Sequence, residues 1–203
     1  MRIRLLVFAA LFLGGLQGQD HAPKPLISKE PLTSEQIVIY RAVLVDYTQG
    51  EDTRLNIANT TELFSVGFGL EPDCLKGFVM PVKSGSNIVH KMEAAVLLNS
   101  SMALVNPEKQ GELVKQNDPA NLVHRAIDEH EHVSDKELDK SVKQAFATGL
   151  FTFSEIVFNK QHTRAMLQYS FVCGELCGNG KTIIMKNVAG KWKKSKVCGG
   201  WIS

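Results

Sequence analysis

Apolar residues change their spacing twice along this chain. From Leu5 to Leu13 they form an unbroken run behind the basic pair Arg2 and Arg4, and the small residues Gly14, Gly15 and Gly18 follow. A basic head, a short apolar centre and a small-residue end make a cleavable signal peptide over residues 1–18, with the cut expected after Gly18. The apolar run is well short of the ~20 residues that cross a bilayer as a helix, and no later run is long enough, so no membrane span is predicted. Pro23, Pro25 and Pro31 then mark residues 19–32 as a proline-rich linker.

Beyond the linker the spacing turns helical. Thr33 and Gln36 have capping-box spacing ahead of the apolar stretch from Ile37 to Tyr47, which predicts a buried helix closing at Gly50. Its Val and Ile residues equally suit a strand. Residues 54–64 read as extended. Between Ser86 and Asn99, Ile88, Met92, Ala95 and Val96 recur at helical spacing and predict a second helix, behind a loop or short strand punctuated by Gly77, Pro81 and Gly85. Asp118 as N-cap before Pro119 opens a further helix reaching about His132. Ser134 and Glu137 start another, with Leu138, Val142, Ala145 and Phe146 on one face and Gly149 at its end.

From Leu150 the period drops to two. Phe151, Phe153 and Val157, then Leu167, Tyr169 and Phe171, alternate in strands separated by Asn159 to Thr163. Lys181 to Asn187 and Lys191 to Cys198 add two more, divided by a turn at Gly190 and preceded by a loop bearing Gly174, Gly178 and Gly180. The pattern is that of an α+β fold: N-terminal helices packed on a C-terminal four-stranded antiparallel meander, all in a single domain over residues 33–203.

Charge removes some partners from consideration. The chain has 23 Lys+Arg against 21 Asp+Glu, and the difference is Arg2 and Arg4, so without the signal peptide it is formally neutral. A neutral domain has no net field to draw it onto nucleic acid or an anionic membrane. Lys191, Lys193, Lys194 and Lys196 surround Trp192, and in that context they read as lysines guarding an edge strand against pairing with another chain.

The closing segment also carries a resemblance. Cys173, Gly174, Cys177, Gly178 and Gly180, then Gly190, Lys191 and Trp192, then the terminal Trp201, Ile202 and Ser203 resemble the end of uncharacterised secreted bacterial proteins with a CG-x-x-CG-x-G loop, a GKW strand and a final W-I-S. The resemblance implies a bacterial source and an exported, periplasmic or extracellular protein. It implies no activity. The predicted sheet is also similar to the nuclear-transport-factor-like cone, a fold that hosts both enzymes and binding domains, so the likeness bears on fold alone.

Candidate chemistry is sparse. His124, Asp128 and Glu131 fall on one face of the helix from Pro119 and offer three metal donors, but no HExxH or comparable spacing accompanies them, and a solvated helix surface accounts for them equally. There is no GxSxG elbow, phosphate-binding loop, dinucleotide fingerprint or thioredoxin-type CxxC, and no cofactor is expected. Cys173 and His162 are a nucleophile and a base only if the fold joins a strand end to a distant turn. The favoured expectation is a noncatalytic binding or structural domain with a small ligand or protein partner. The alternative is a pocket enzyme on a cone-like fold. The first should fill the space between helices and sheet with side chains such as Phe151, Tyr169 and Ile184, and the second should place an Asp, His or Tyr there.

Hairpin arithmetic gathers Cys173, Cys177 and Cys198 at one end of the sheet. Cys173 and Cys198 are a strand apart, about 10 Å, beyond the ~7 Å Cα limit of a disulfide. Cys177 reaches either, and Cys173–Cys177 is the preferred bridge, leaving Cys198 for Cys74. A zinc site on Cys173, Cys177 and Cys198 is the competing arrangement, less usual outside the cytoplasm.

Overall fold

The proline-rich stretch is not wholly linker. The computed structural model describes residues 24–67, 70–80 and 87–203, so the signal-peptide segment lies outside the described residues. Within it, β1 (Leu26–Ile27) already pairs in parallel with β3 (Ile88–Val89). Between them, α1 (Ser34–Thr48) is a helix, as its cap predicts. The Thr33 hydroxyl accepts from the Gln36 N–H while the Gln36 side chain accepts from the Thr33 N–H. That reciprocal pair outweighs the strand propensity of its Val and Ile residues, and Gln49 ends the helix in left-handed conformation.

The extended stretch after it forms β2 (Leu55–Ala58). The helix expected between Ser86 and Asn99 does not form. Residues 81–86 lie outside the described residues; the remainder is β3 and a single 3-10 turn at Ala94–Val96. Val96 and Met92 are buried because this irregular segment lies against α1. Arg41 of that helix donates to the carbonyls of Ala95, at 3.0 Å, and Leu97. Of the four residues at helical spacing Met92 and Val96 are buried while Ile88 and Ala95 are exposed, and the Ala95 and Leu97 carbonyls are held by a side chain instead of by a helical ladder.

Neither β4 (Met102–Val105) nor α2 (Pro107–Gln116), the latter capped by Asn106, is predicted by the spacing. They are followed by α3 (Pro119–Glu129) and α4 (Asp135–Thr148), capped by Asp118 and by the Ser134–Glu137 box. The α3 helix stops short of His132 because His130 adopts a left-handed conformation at φ 57°. Then come β5 (Leu150–Phe153), β6 (Val157–Phe158), β7 (Arg164–Gly174), β8 (Cys177–Val188) and β9 (Lys191–Ile202).

The α+β class is as expected, and β5, β7, β8 and β9 form the antiparallel meander. The sheet is larger than the meander. Its order is β4-β2-β5-β7-β8-β9, with β6 on β7, and β2 runs parallel to both β4 and β5, which makes it mixed. The expected glycine loop is also strand. Only Glu175 and Leu176 separate β7 from β8, so Gly178 pairs with Val172 and Gly180 with Ser170.

One sheet face lies on α1. Phe151, Phe153, Leu167, Tyr169, Ile183 and Met185 meet Ile39, Tyr40, Val43 and Leu44 in the main core. The Tyr40 hydroxyl donates to the Ser154 carbonyl at 2.9 Å, so this polar atom carried into the layer is satisfied. On the opposite face, Met166, Ile184 and Cys198 cluster with Phe64, Cys74 and Phe78. Ile184, expected between helices and sheet, belongs to this second cluster.

The cysteines pair as Cys74–Cys198 and Cys173–Cys177, with Cα separations of 5.9 and 5.0 Å. A bulge makes the first possible: Thr182 pairs with Gly199 and Ile183 with Val197, leaving Cys198 as the extra residue. For a sequence separation of 124 residues, constraint of the unfolded chain amounts to about 5 kcal/mol, against about 2 kcal/mol for a separation of 4. Denaturant unfolding should therefore show a markedly larger loss for the Cys74→Ala/Cys198→Ala protein than for Cys173→Ala/Cys177→Ala. Equal losses would contradict this ranking.

Candidate functional site

The second face of the sheet is covered at its two ends and open in the middle. At one end residues 70–80 are held down by Cys74–Cys198, by a Glu71 N–H to Cys198 carbonyl bond of 3.0 Å and by a Lys196–Glu71 ion pair of 2.7 Å. At the other end α2 lies beside Leu150 and Val172, and Gln110 donates to the Thr148 carbonyl at 2.6 Å. Between these covers is a cleft of about 160 Å3.

Strand alternation supplies its floor. Phe151 and Phe153 point into the core, so Thr152 of β5 points the other way, as do Gln168 and Ser170 of β7 and Gly180 and Thr182 of β8, and Ser154 just beyond β5 joins them in the cleft. Thr152 and Ser170 hydroxyls are 2.9 Å apart. The Gln168 side chain donates to Thr182 at 3.1 Å and to the Ser65 carbonyl at 2.8 Å, and accepts from the Ser65 N–H at 3.0 Å. The Ser154 hydroxyl accepts from the Gln168 N–H at 2.8 Å and donates to the Glu155 carbonyl at 2.9 Å. Among the described residues no buried side-chain nitrogen or oxygen lacks a partner, so this polar layer is a formed surface.

Glu62 stands at the rim. Its N–H donates to the Phe153 carbonyl at 2.8 Å, and its carbonyl accepts from the Glu155 N–H at 2.7 Å, which aligns it with the end of β5. Partial burial raises its pKa above the ordinary glutamate value, and a hydrogen bond from Thr152 opposes that rise. The Thr152 and Ser170 hydroxyls share one hydrogen bond in which either is able to donate. On the other side of the same strand, Thr61 donates to Glu155, whose carboxylate holds His90 Nδ1 at 3.0 Å. This cluster ties the His90 segment to the end of β5.

The wall is Trp201. A Cβ added to Gly178 would lie 3.0 Å from the six-membered ring of its indole, and one added to Gly180 would overlap the indole nitrogen. Two glycines at alternate positions of β8 therefore let the indole lie flat along the strand backbone, leaving its other side toward the cleft.

The other sequence candidates fall elsewhere. Because α3 ends at Glu129, Glu131 does not share a helix face with His124 and Asp128, and among the described residues no group of three or more His, Cys, Asp or Glu is placed to hold a metal. His124 instead lines an open apolar groove of about 720 Å3 with Val123, Phe146 and Cys177. Cys173 is bonded to Cys177, while His162 lies beyond the opposite end of β7, stacked on Phe158 at 4.6 Å between centroids. The lysines around Trp192 do lie on an edge strand. Lys194 pairs with Asp46 at 2.6 Å, Lys196 with Glu71, and Trp192 itself is in the core.

Sequence reading missed Glu62 and Trp201. Gly178 and Gly180, two apart inside a strand, were the available signal of a close-packed side chain, but they were assigned to a loop. In comparisons with known proteins, the chain matches no protein-family model, no curated protein and no solved structure.

Because its pKa is raised in the folded state, Glu62 opposes folding when ionised and ceases to do so when protonated. The Glu62→Gln protein is expected to gain stability over the parent at pH 7. That gain should shrink as pH falls through the range from the raised value toward the ordinary glutamate pKa. Paired denaturation curves across pH 3–7 check this, and a gain that grows toward low pH would contradict it.

Proposed function

We propose that this protein is an exported, noncatalytic binding domain that holds a small ligand in the cleft between Glu62 and Trp201. The observation carrying the reading is the indole laid flat over Gly178 and Gly180 at the edge of a hydrogen-bonded polar floor. Aromatic surface beside a few placed polar groups is the general composition of a ligand site. Placement outside the cytoplasm is supported by the two disulfides and by the basic-apolar-small pattern of residues 1–18. No helix among the described residues is long and apolar enough to cross a membrane.

A binding role fits this floor better than a catalytic one. The Ser154 hydroxyl donates to the Glu155 carbonyl, and the Thr152 and Ser170 hydroxyls bond each other, so the hydroxyls of the floor are engaged with the protein itself. Phe151 and Tyr169 fill the space under α1, where the enzyme alternative needs a polar pocket.

A thermal-shift screen of small polar molecules should give ligands that stabilise the parent and lose at least about tenfold in affinity, or roughly 1.4 kcal/mol, with Trp201→Ala. Trp192 remains as an internal reporter of the fold. Ligands that bind Trp201→Ala as tightly as the parent would sink the proposed site. Protein recovered from outside the cytoplasm should have lost residues 1–18, as intact mass determines.

A further inference from the structure

The charge of the cleft is lopsided. Glu62 brings a carboxylate, while the Thr152 and Ser170 hydroxyls are engaged with each other at 2.9 Å. Gln168 is fully engaged with Ser65 and Thr182. Among the described residues no Lys, Arg or His forms an ion pair with Glu62. Lys181 also borders the cleft but sits between Gly180 and Thr182, so its side chain alternates to the other face of β8. The remaining titratable neighbours are accounted for. Glu155 is engaged by His90 across the strand, and Tyr169, with its pKa pushed up to about 12 chiefly by burial, stays neutral. The site therefore offers one negative charge without an ion-pair partner among the described residues and the face of an indole. An indole face attracts a cation through its quadrupole, and the carboxylate does so through its charge, so both act on the same kind of ligand.

Building on the cleft as the binding site, we infer that its ligand is a small organic cation, with an ammonium group laid on the Trp201 indole and its charge facing Glu62. A neutral polyol would bring no countercharge to the Glu62 carboxylate, and an anion would meet that carboxylate directly.

Choline and its neutral isostere 3,3-dimethyl-1-butanol separate charge from shape. Calorimetric titration of the full exported chain at pH 7 should show choline binding at least about tenfold more tightly than the isostere. Glu62→Gln should remove most of that preference, and Trp201→Phe should retain binding that Trp201→Ala loses, with melting temperature and circular dichroism confirming that each variant folds. Choline affinity should fall as pH drops and Glu62 takes up its proton. Equal affinity for choline and the isostere, or a Glu62→Gln protein that binds choline unchanged, would overturn the cation inference while leaving the cleft as a site. Binding of a neutral sugar or a carboxylate, lost in Trp201→Ala, would likewise refute the cation and keep the cleft. If Trp201→Ala leaves choline binding untouched, both the inference and the proposed site fail.

Discussion

The two-residue period of β7 governs both faces of this molecule. Ala165, Leu167, Tyr169 and Phe171 turn toward α1 and have to be apolar, because burial there is complete. Met166, Gln168 and Ser170 turn the other way, and along that side the strand changes from apolar to polar within one side-chain step. A shift of one residue in the pairing of β7 would drive Gln168 and Ser170 into the core and expose Leu167 and Tyr169. The long ladder with β8 prevents such a shift.

That change in polarity explains the uneven cover of the second face. Where the face is apolar, at Met166 and Ile184, the segment around Phe64, Cys74 and Phe78 closes over it. Where it is polar, the chain makes a hydrogen-bonded floor and leaves it open. Arg164 shows the transition from the other end, with its guanidinium 4.9 Å from the centre of the Phe78 ring. The cleft is thus the place where the second core stops, and Glu62 and Trp201 stand on either side of that boundary.

Much of this was legible in the residues. Caps at Thr33, Asp118 and Ser134 located three helices because each is a local hydrogen-bond pattern that tertiary packing left intact. Alternation from Leu150 onward located the meander for the same reason. Both cysteine pairs in the structure are the preferred ones of the sequence reading, since hairpin geometry limits what three nearby cysteines can do. The misreadings have a common cause. Met92 and Val96 are buried against the apolar residues of α1, β4 is fixed by a parallel partner far along the chain, and Trp201 rests on glycines of a neighbouring strand. Each depends on a partner distant in sequence, and local periodicity carries no trace of it. The cleft, which joins Glu62 to the last residues of the chain, is the extreme case.

The Cys74–Cys198 bond also changes how the molecule would bear a load. It joins the segment after β2 to Cys198 near the end of β9, so everything between forms a covalent ring that contains α2, α3, α4, β7 and β8. Tension applied at the two ends passes through the sulfurs and bypasses the ring. At about 3.3–3.6 Å per extended residue, the 124-residue separation withholds on the order of 400 Å of chain from extension. The hairpins that form the floor of the cleft lie inside that ring and would be spared the force as long as the bond stays oxidised.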